Sequence, residues 1–298
     1  MPHIVPHLWF DQEARDAATF YCSIFPDARI HSAVVLKDTP SGDCDLLWFE
    51  LAGQPFMAIN AGPLFEFNPS VSFILNFDPS QGRSRKDLEA LWNSLLSGGE
   101  ELMPLGQYPF APLFGYLRDR YGVFWQLILS DNMEPRLPFV VPSLLFVGDL
   151  HGKAEEAQNF YLSVFNNTQR GVTFRYPEGS EPEQEGTLMY SDFMLEGQWF
   201  SLSESALEHG FRFNEAISFM VFCDTQEEID YYWTRLSAVP EAEQCGWLKD
   251  KYGLSWQVVP KALEAMLQDP DPKRVQRVNQ VVLQMKKLEL AELQRAYT

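Results

Sequence analysis

The sequence predicts an α+β protein made of two tandem copies of one domain, in which curved mixed sheets carry helices on their outer face. Three observations support this fold class. The length of 298 residues suits two domains that can each bury a core. Several sequence blocks recur in the same order along the chain. Within each copy, closely spaced strand patterns outnumber the helical ones.

The internal repeat defines the two copies. The paired blocks are FYCSIF from Phe20 and FYLSVF from Phe160, LAGQPFMAIN from Leu51 and LEGQWFSLSE from Leu195, FNPSVSFILNFD from Phe67 and FNEAISFMVFCD from Phe213, and FGYLRDRYGVFWQLI from Phe114 and CGWLKDKYGLSWQVV from Cys245. A stretch with three prolines, residues 130–142, is typical of a linker between them. We therefore predict a first domain over residues 1–134 and a second over 138–298.

Each copy opens with a short apolar strand followed by a helix. In the first copy Asp11 is a candidate N-cap, and Ala14, Ala17 and Tyr21 lie at helical spacing. Strand patterns follow from Ser32, Asp45 and Pro55, and then an alternating strand from Ser70. A second helix and further strands complete the copy, which therefore reads βαβββ followed by βα and more strands.

The second copy repeats this order and adds a helical tail. Thr225 and Glu228 form a predicted capping box ahead of its second helix. After Pro260 the segment KALEAMLQ is helical, DPDP breaks it, and residues 273–297 are predicted as one or two amphipathic helices. We expect this tail to pack on the other copy or on a second chain.

Composition restricts the function classes. The formal net charge of −18 disfavours binding to nucleic acid or to anionic membrane surfaces. The sequence contains no run of about 18 apolar residues that would predict a membrane span, and its N-terminus lacks the pattern of a signal peptide. The four cysteines form no C-x-x-C pair, which favours reduced thiols. We therefore expect a cytoplasmic protein.

The opening pattern PHLWFD with FYCSIFP, the block GQPFMAIN, and FNEAISF with CGWLKDKYGLSWQVVP carry a family resemblance. The chain resembles the PhnB-like branch of the vicinal oxygen chelate (glyoxalase/bleomycin-resistance) superfamily, which has also been labelled 3-demethylubiquinone methyltransferase. The resemblance implies tandem domains of paired βαβββ modules whose sheets curl into a cup. It also implies a pseudo-dimer within one chain, with a homodimer of whole chains as a further expectation.

Strand parity identifies polar residues that face the cup. In SVSFILNF, Val71, Phe73 and their alternate neighbours share one face, and Ser72 lies on the other. In the closing strand, Gln126 and Trp125 are consecutive, so Gln126 lies on the strand face that does not carry Trp125. The second copy places Ser218 and Gln257 at the matching positions. Lining of a cup and ordinary structural hydrogen bonding both remain open for these four residues.

The resemblance implies metal ligands on the first, fourth, fifth and eighth strands in metal-dependent members. Here the fifth-strand position matches Ser72 and Ser218, and the eighth matches Gln126 and Gln257. The fourth strand offers Asn60 and Glu204, and His7 lies one residue from the first-strand position. Serine and glutamine are poor ligands for transition metals, so we expect neither a metal nor another cofactor. No G-x-G-x-G loop follows a strand to hold S-adenosylmethionine.

Two histidines, His7 and His209, are expected to have different environments. His7, near the N-terminus, is expected to be solvated, and His209 is expected in a loop between the fourth and fifth strands of the second copy. We therefore predict a metal-free protein that binds a small, partly apolar molecule in one or both cups. The predicted contacts are Asn60, Ser72 and Gln126 in the first copy and Glu204, His209, Ser218 and Gln257 in the second, which is the expected functional half.

The sequence leaves two alternatives open. The first is a metal-dependent enzyme, a lyase, isomerase or dioxygenase that acts on a small oxygenated substrate, with Glu204 as base or ligand and His209 assisting. The second is an interaction module whose cups are filled by side chains.

Overall fold

The computed structural model describes residues 4–130 and 137–298. The first copy contains β1 (Ile4–Phe10), α1 (Ala14–Ile24), β2 (Arg29–Thr39), β3 (Gly42–Leu51), β4 (Gln54–Asn60), β5 (Val71–Phe77), α2 (Arg85–Leu96), β6 (Glu100–Tyr108), β7 (Ala111–Arg118) and β8 (Phe124–Leu129). The second contains β9 (Val140–Val147), α3 (Ala154–Val164), β10 (Gln169–Arg175), β11 (Leu188–Leu195), β12 (Gln198–Ser205), β13 (Ile217–Cys223), α4 (Gln226–Leu236), β14 (Trp247–Lys249) and β15 (Ser255–Pro260). The tail contains α5 (Lys261–Leu267), α6 (Pro272–Val282) and α7 (Leu290–Tyr297).

These elements form four modules. Module 1 runs from β1 to β4, module 2 from β5 to β8, module 3 from β9 to β12 and module 4 from β13 to β15. Modules 1 to 3 are βαβββ units, and module 4 has one strand fewer. None of the helices in the described part of the chain has the length and apolar character needed to cross a bilayer. The predicted α+β fold class, with two tandem copies and mixed sheets, is confirmed.

Each of the two sheets combines strands of both copies. Sheet A has the order β14-β15-β13-β1-β4-β3-β2 and joins modules 1 and 4. Sheet B has the order β10-β11-β12-β9-β5-β8-β7-β6 and joins modules 2 and 3. The joints are the antiparallel pairs β1 with β13 and β5 with β9. The expectation that each copy builds a cup of its own is therefore wrong, because each cup is shared between the copies.

The helix-covered faces of both sheets share one hydrophobic core. The predicted parity is confirmed, since Phe73 and Trp125 lie in this core with the buried faces of α1 to α4. The rings of Phe56 in sheet A and Phe73 in sheet B are in edge contact at 5.1 Å. The two modules of one copy thus meet face to face, although their strands belong to different sheets.

A buried aspartate ties the two modules of each copy together. In the second copy, one oxygen of Asp250 accepts hydrogen bonds from the Tyr161 hydroxyl at 2.8 Å and the Trp256 indole N–H at 2.9 Å. Its other oxygen accepts from the backbone N–H groups of Tyr252 and Leu254. The first copy repeats this network around Asp119, with Tyr21 and Trp125 as donors. Burial raises the pKa of Asp250 to about 6.

Helix starts differ in part from the sequence prediction. The prediction of Asp11 as N-cap is wrong, because α1 begins at Ala14 and Glu13 is in the cap position without a side-chain bond. The cap comes from another strand, as described below. Thr225 does cap α4, with its side chain accepting from the N–H of Glu228. The Glu228 carboxylate accepts from the N–H of Asp224, one residue earlier than a capping box requires.

The linker and tail predictions have different outcomes. Of the predicted linker, residues 131–136 lie outside the described residues, and its last residues already belong to β9. The tail forms three helices, and its predicted packing on the other copy is confirmed, since Asn279 in α6 donates to the carbonyl of Lys37 in β2. All four cysteines are free, as the sequence predicts.

Replacement of Asp250 by asparagine should lower the free energy of unfolding by about 3 kcal/mol. Asparagine offers one acceptor oxygen where four donors converge, so its amide group would face another donor. Thermal or denaturant unfolding followed by circular dichroism measures the change. Asp119→Asn should have a similar effect, and Asp11→Asn, at an exposed carboxylate, should have almost none. A stability of Asp250→Asn equal to that of the native chain would contradict this role.

Cleavage at a protease site introduced within residues 131–136 should leave the two copies associated. Both central joints, β1 with β13 and β5 with β9, connect one copy to the other and do not depend on the covalent link. Size-exclusion chromatography of the cleaved chain should therefore show one species with the elution volume of the intact chain. Separation into two folded pieces without denaturant would contradict the shared sheets.

Candidate functional site

The concave face of sheet A brings together polar residues from both copies. In the joint between β1 and β13, His7 is paired in register with Ser218. Ser218 lies beside β15, where Gln257 donates a hydrogen bond from Nε2 to the Ser218 hydroxyl at 2.9 Å. All three side chains are buried. Ser218 and Gln257 of the predicted set therefore lie with a histidine of the first copy.

His7 is the residue that sequence reasoning missed, because the expectation of a solvated histidine is wrong. The residue is only 3 % exposed, and its Nδ1 has no hydrogen-bond partner among the described residues. The ring lies edge-on against Trp247, with centroids 5.4 Å apart. Burial disfavours the charged form and lowers the pKa of His7 to about 3. A neutral imidazole with unused hydrogen-bonding capacity thus lies at the floor of the cup.

A pocket of about 450 Å³ lies above this floor. Its walls are mainly aromatic and aliphatic side chains from β1, β3, β4 and β13, namely Trp9, Leu46, Trp48, Met57, Ile59, Met220 and Phe222. Glu215, Glu241 and Glu264 add carboxylates to the lining. The volume and the few polar groups on an apolar lining are typical of sites for small organic molecules.

The tail closes the pocket on the side away from the sheet. Leu263, Leu267, Val282 and Leu283 belong to its lining. Further tail side chains, among them Met266 and Val278, share a second hydrophobic core with Trp48, Met57 and Met220 of the concave face. The cup of sheet A is therefore part covered and part open.

The concave face of sheet B carries a matching Gln–Ser pair, but the residues around that pair differ. Gln126 donates from Nε2 to the Ser72 hydroxyl at 2.9 Å, as Gln257 does to Ser218. The positions of His7, Met57 and Trp48 in the repeat are occupied there by Ser143, Ser201 and Asp192. Asp192 is 1 % exposed, and its Oδ1 accepts from the N–H of Val172. The two cups thus share a scaffold but differ in polarity.

Asn60 and Glu204 have a structural role in this fold. Asn60 Oδ1 accepts from the N–H of Ala14 at the start of α1, with an N···O distance of 2.7 Å. Glu204 Oε1 accepts from the N–H of Ala154 at the start of α3 at 2.6 Å, and Oε2 accepts from Leu188. These side chains supply the caps that the helices lack locally.

His209 lies in the loop between β12 and β13, as predicted. Its Nε2 is 3.0 Å from the Ser205 hydroxyl, which also donates to Glu183. The ring packs against Phe211. The structure does not place His209 in the lining of the sheet A pocket.

The donor set at the floor of sheet A does not fit a transition metal. One imidazole, one hydroxyl and one amide surround the position, with no carboxylate among them and the thioether of Met57 as the fourth-strand neighbour. Over residues 4–130 and 137–298 no three His, Cys, Asp or Glu side chains are grouped so that they could hold a metal ion.

Comparison with known proteins shows that both copies match the same family model. A family model described as 3-demethylubiquinone-9 3-methyltransferase matches residues 2–128 and 138–259. No curated protein matches the chain. A solved PhnB protein from Bacillus cereus, described as a 3-demethylubiquinone-9 3-methyltransferase, is 32 % identical over 42 % of this chain and 98 % of its own, with a TM-score of 0.38. A protein from Pseudomonas aeruginosa is 26 % identical over 42 % and 96 %, with a TM-score of 0.36.

A second kind of similarity spans both copies. Glyoxalase I from Zea mays covers 90 % of this chain and 98 % of its own at 10 % identity, with a TM-score of 0.53. At that identity the similarity concerns the fold alone. The predicted resemblance, a tandem protein of the PhnB-like branch with a glyoxalase-type fold, is confirmed.

Acidification should destabilise the native chain more than a His7→Leu variant. The unfolded histidine binds a proton near pH 6.5, whereas burial lowers the folded pKa to about 3, so stability is lost as pH falls below 6.5. Between pH 7 and pH 5 the native chain should lose about 2 kcal/mol more of its free energy of unfolding than His7→Leu does. This value follows from about 1.4 kcal/mol per pH unit below the pKa of the unfolded histidine. Urea unfolding of both proteins at the two pH values measures it.

The raised pKa of Asp250 acts in the opposite direction but is present in both proteins, so it cancels in the comparison. Parallel stability profiles for the native chain and His7→Leu would contradict a buried neutral His7.

Proposed function

We propose that this chain, which belongs to the family described as 3-demethylubiquinone-9 3-methyltransferase, binds a small, largely apolar molecule in the sheet A pocket without a metal. The observation that carries this proposal is the combination of an apolar pocket of about 450 Å³ with a buried His7 at its floor, whose Nδ1 has no hydrogen-bond partner among the described residues. A buried polar atom without a partner costs free energy, which a ligand group can recover by hydrogen bonding to it. Gln257, held by Ser218, supplies a second polar contact.

The lining disfavours an anionic ligand. His7 carries no charge at neutral pH, so the floor offers no counter-ion to an anion. Glu241 and Glu264 in the lining would repel an anion further. Glu215 is already paired with Lys249 at 2.8 Å, which leaves it poorly suited to a cation. Trp9, Trp48 and Trp247 provide flat apolar surfaces against which a ring can pack.

The alternatives are less well supported by the same geometry. An enzyme that uses Glu204 as base or metal ligand would have to release a carboxylate whose two oxygens hold the start of α3 and the N–H of Leu188. Methyl transfer would require a site for S-adenosylmethionine, for which the sequence offers no glycine-rich loop. A module with filled cups does not agree with the volume of the sheet A pocket.

Composition and sheet pairing indicate the location and the partners that we expect for this protein. We expect a cytoplasmic protein with no nucleic-acid partner, because the chain has a net charge of −18 and four free cysteines. The sheets shared by the two copies support a pseudo-dimer within one chain. A homodimer of whole chains remains a further expectation, which sedimentation velocity would test.

Replacement of Gln257 by leucine should weaken binding of N-phenyl-1-naphthylamine, an uncharged aromatic probe, by about tenfold. The loss of one hydrogen bond costs about 1 to 1.5 kcal/mol, which corresponds to that factor. Fluorescence titration measures the affinity. Gln126→Leu makes the same change at the matching position of sheet B and should leave the affinity unchanged. Weaker binding by Gln126→Leu alone would place the site in the other cup and contradict the proposal.

Native mass spectrometry of the chain as purified from cells gives an independent control. An organic adduct without metal would support the proposal. A divalent metal that is lost on chelation would contradict it.

A further inference from the structure

The C-terminal tail makes the two cups unequal. The family model ends at residue 259, so α5, α6 and α7 lie beyond the matched part of the chain. Their apolar side chains pack on the concave face of sheet A. On the concave side of sheet B, Phe174 pairs with Tyr190 across β10 and β11 and is 49 % exposed. The tail is therefore an addition that changes one cup of a duplicated scaffold.

The turn between α6 and α7 is fixed where module 4 lacks a strand. The connection from Leu236 to Cys245 is nine residues shorter than the matching connection from Leu96 to Phe114, which contains β6. The backbone N–H groups of Cys245 and Gly246, which lie before β14, donate instead to the carbonyls of Met285 and Lys286, both at 2.7 Å. A Cβ on Gly246 would lie 3.2 Å from Leu288 Cδ1, so the tail approaches the backbone closely there.

Ion pairs strengthen the attachment of this turn. Lys287 contacts Asp230 of α4, and Lys286 contacts Glu243 at 3.3 Å. Gln226 in α4 accepts from the N–H of Leu290 at 2.7 Å. The turn between α6 and α7 is thereby held on module 4 by backbone and side-chain bonds together.

The part of the tail between α5 and α6 meets β2 through fewer hydrogen bonds. Gln268 donates to the Ser32 hydroxyl at 3.2 Å, Gln276 to Asp38 at 2.8 Å, and Asn279 to the carbonyl of Lys37 at 3.2 Å. A cleft of about 220 Å³ runs along this seam between α5, α6 and β2. Side-chain bonds beside an unfilled cleft make the seam the weaker attachment.

We infer that α5 and α6 are the specificity-determining cover of the sheet A pocket, which opens at the β2 seam to admit a ligand and closes to limit its size. Leu263, Leu267 and Val282 form the wall that faces the strands, so their side chains set the space left for the ligand. This inference rests on the proposed binding function for its ligand, but the opening of the cover can be measured without any ligand.

A native thiol reports the opening. Cys44 lines the pocket and is 2 % exposed, whereas Cys223 is buried in the core on the helix side of the sheet. N-Ethylmaleimide labelling of the full chain, mapped by mass spectrometry, gives the rate at each thiol. The double change Gln276→Ala and Asn279→Ala removes two seam bonds and should speed labelling of Cys44 at least tenfold. Gln294→Ala, at an exposed position of α7, is the matched control and should leave the rate unchanged.

Two results of this experiment would overturn the inference. Equal rates at Cys44 in the seam variant and in the control would show that the seam does not gate the pocket. Labelling of Cys223 in step with Cys44 would show that the thiols are reached by global unfolding and not by movement of the cover.

A larger side chain in the tail wall tests whether the cover limits the size of the ligand. Leu267→Trp should fill part of the pocket and weaken binding of N-phenyl-1-naphthylamine at least tenfold, while Cys44 stays protected. Unchanged affinity in Leu267→Trp, together with weaker binding in Gln257→Leu, would overturn the specificity role but leave the binding function standing. Absence of probe binding in the native chain would count against the proposed function, and the labelling rates would still decide whether the cover opens.

Discussion

The antiparallel pairing of first strands across the two copies is the constraint on which the rest of this structure depends. The first strand of every module pairs on one side with the last strand of its own module, as β1 does with β4 and β9 with β12. Its other edge lies in the middle of a sheet, where unpaired backbone groups would be costly. The pairs β1 with β13 and β5 with β9 satisfy those groups, and they place His7 opposite Ser218 and Ser72 opposite Ser143. Each cup is consequently a property of the duplicated chain and not of one copy.

The duplicated scaffold allows the two cups to differ. The network of Asp250 with Tyr161 and Trp256 lies on the helix side of the sheets, and Asp119 repeats it in the first copy. Because these bonds hold module to module on that side, the concave faces can change without loss of the framework. Sheet A has an apolar floor around His7, and sheet B has Asp192 and Ser201 at matching positions of the repeat. One fold thereby presents two surfaces of different polarity within a single chain.

The tail extends this asymmetry. The shortened connection in module 4 removes an edge strand, and Met285 and Lys286 supply carbonyls to the N–H groups left there. This attachment positions α5 and α6 over the cup of sheet A, where they complete a pocket that the strands alone would leave as an open groove. The loss of a strand and the gain of a cover are therefore coupled through the same backbone hydrogen bonds.

The sequence by itself determined the duplication, the α+β class, the buried faces of the strands and the strand face that carries the Ser and Gln residues, because these follow from local periodicity and from the repeat. Their hydrogen bonds to each other appear only in the structure. Tertiary structure decided which module pairs with which, since either first strand can satisfy the same backbone groups and periodicity does not distinguish them. It also decided the environment of His7, whose burial depends on Trp247 and on the distant strand β13. Asn60 and Glu204 became helix caps for the same reason, as their partners Ala14 and Ala154 are about 50 residues away in sequence and adjacent only in the fold.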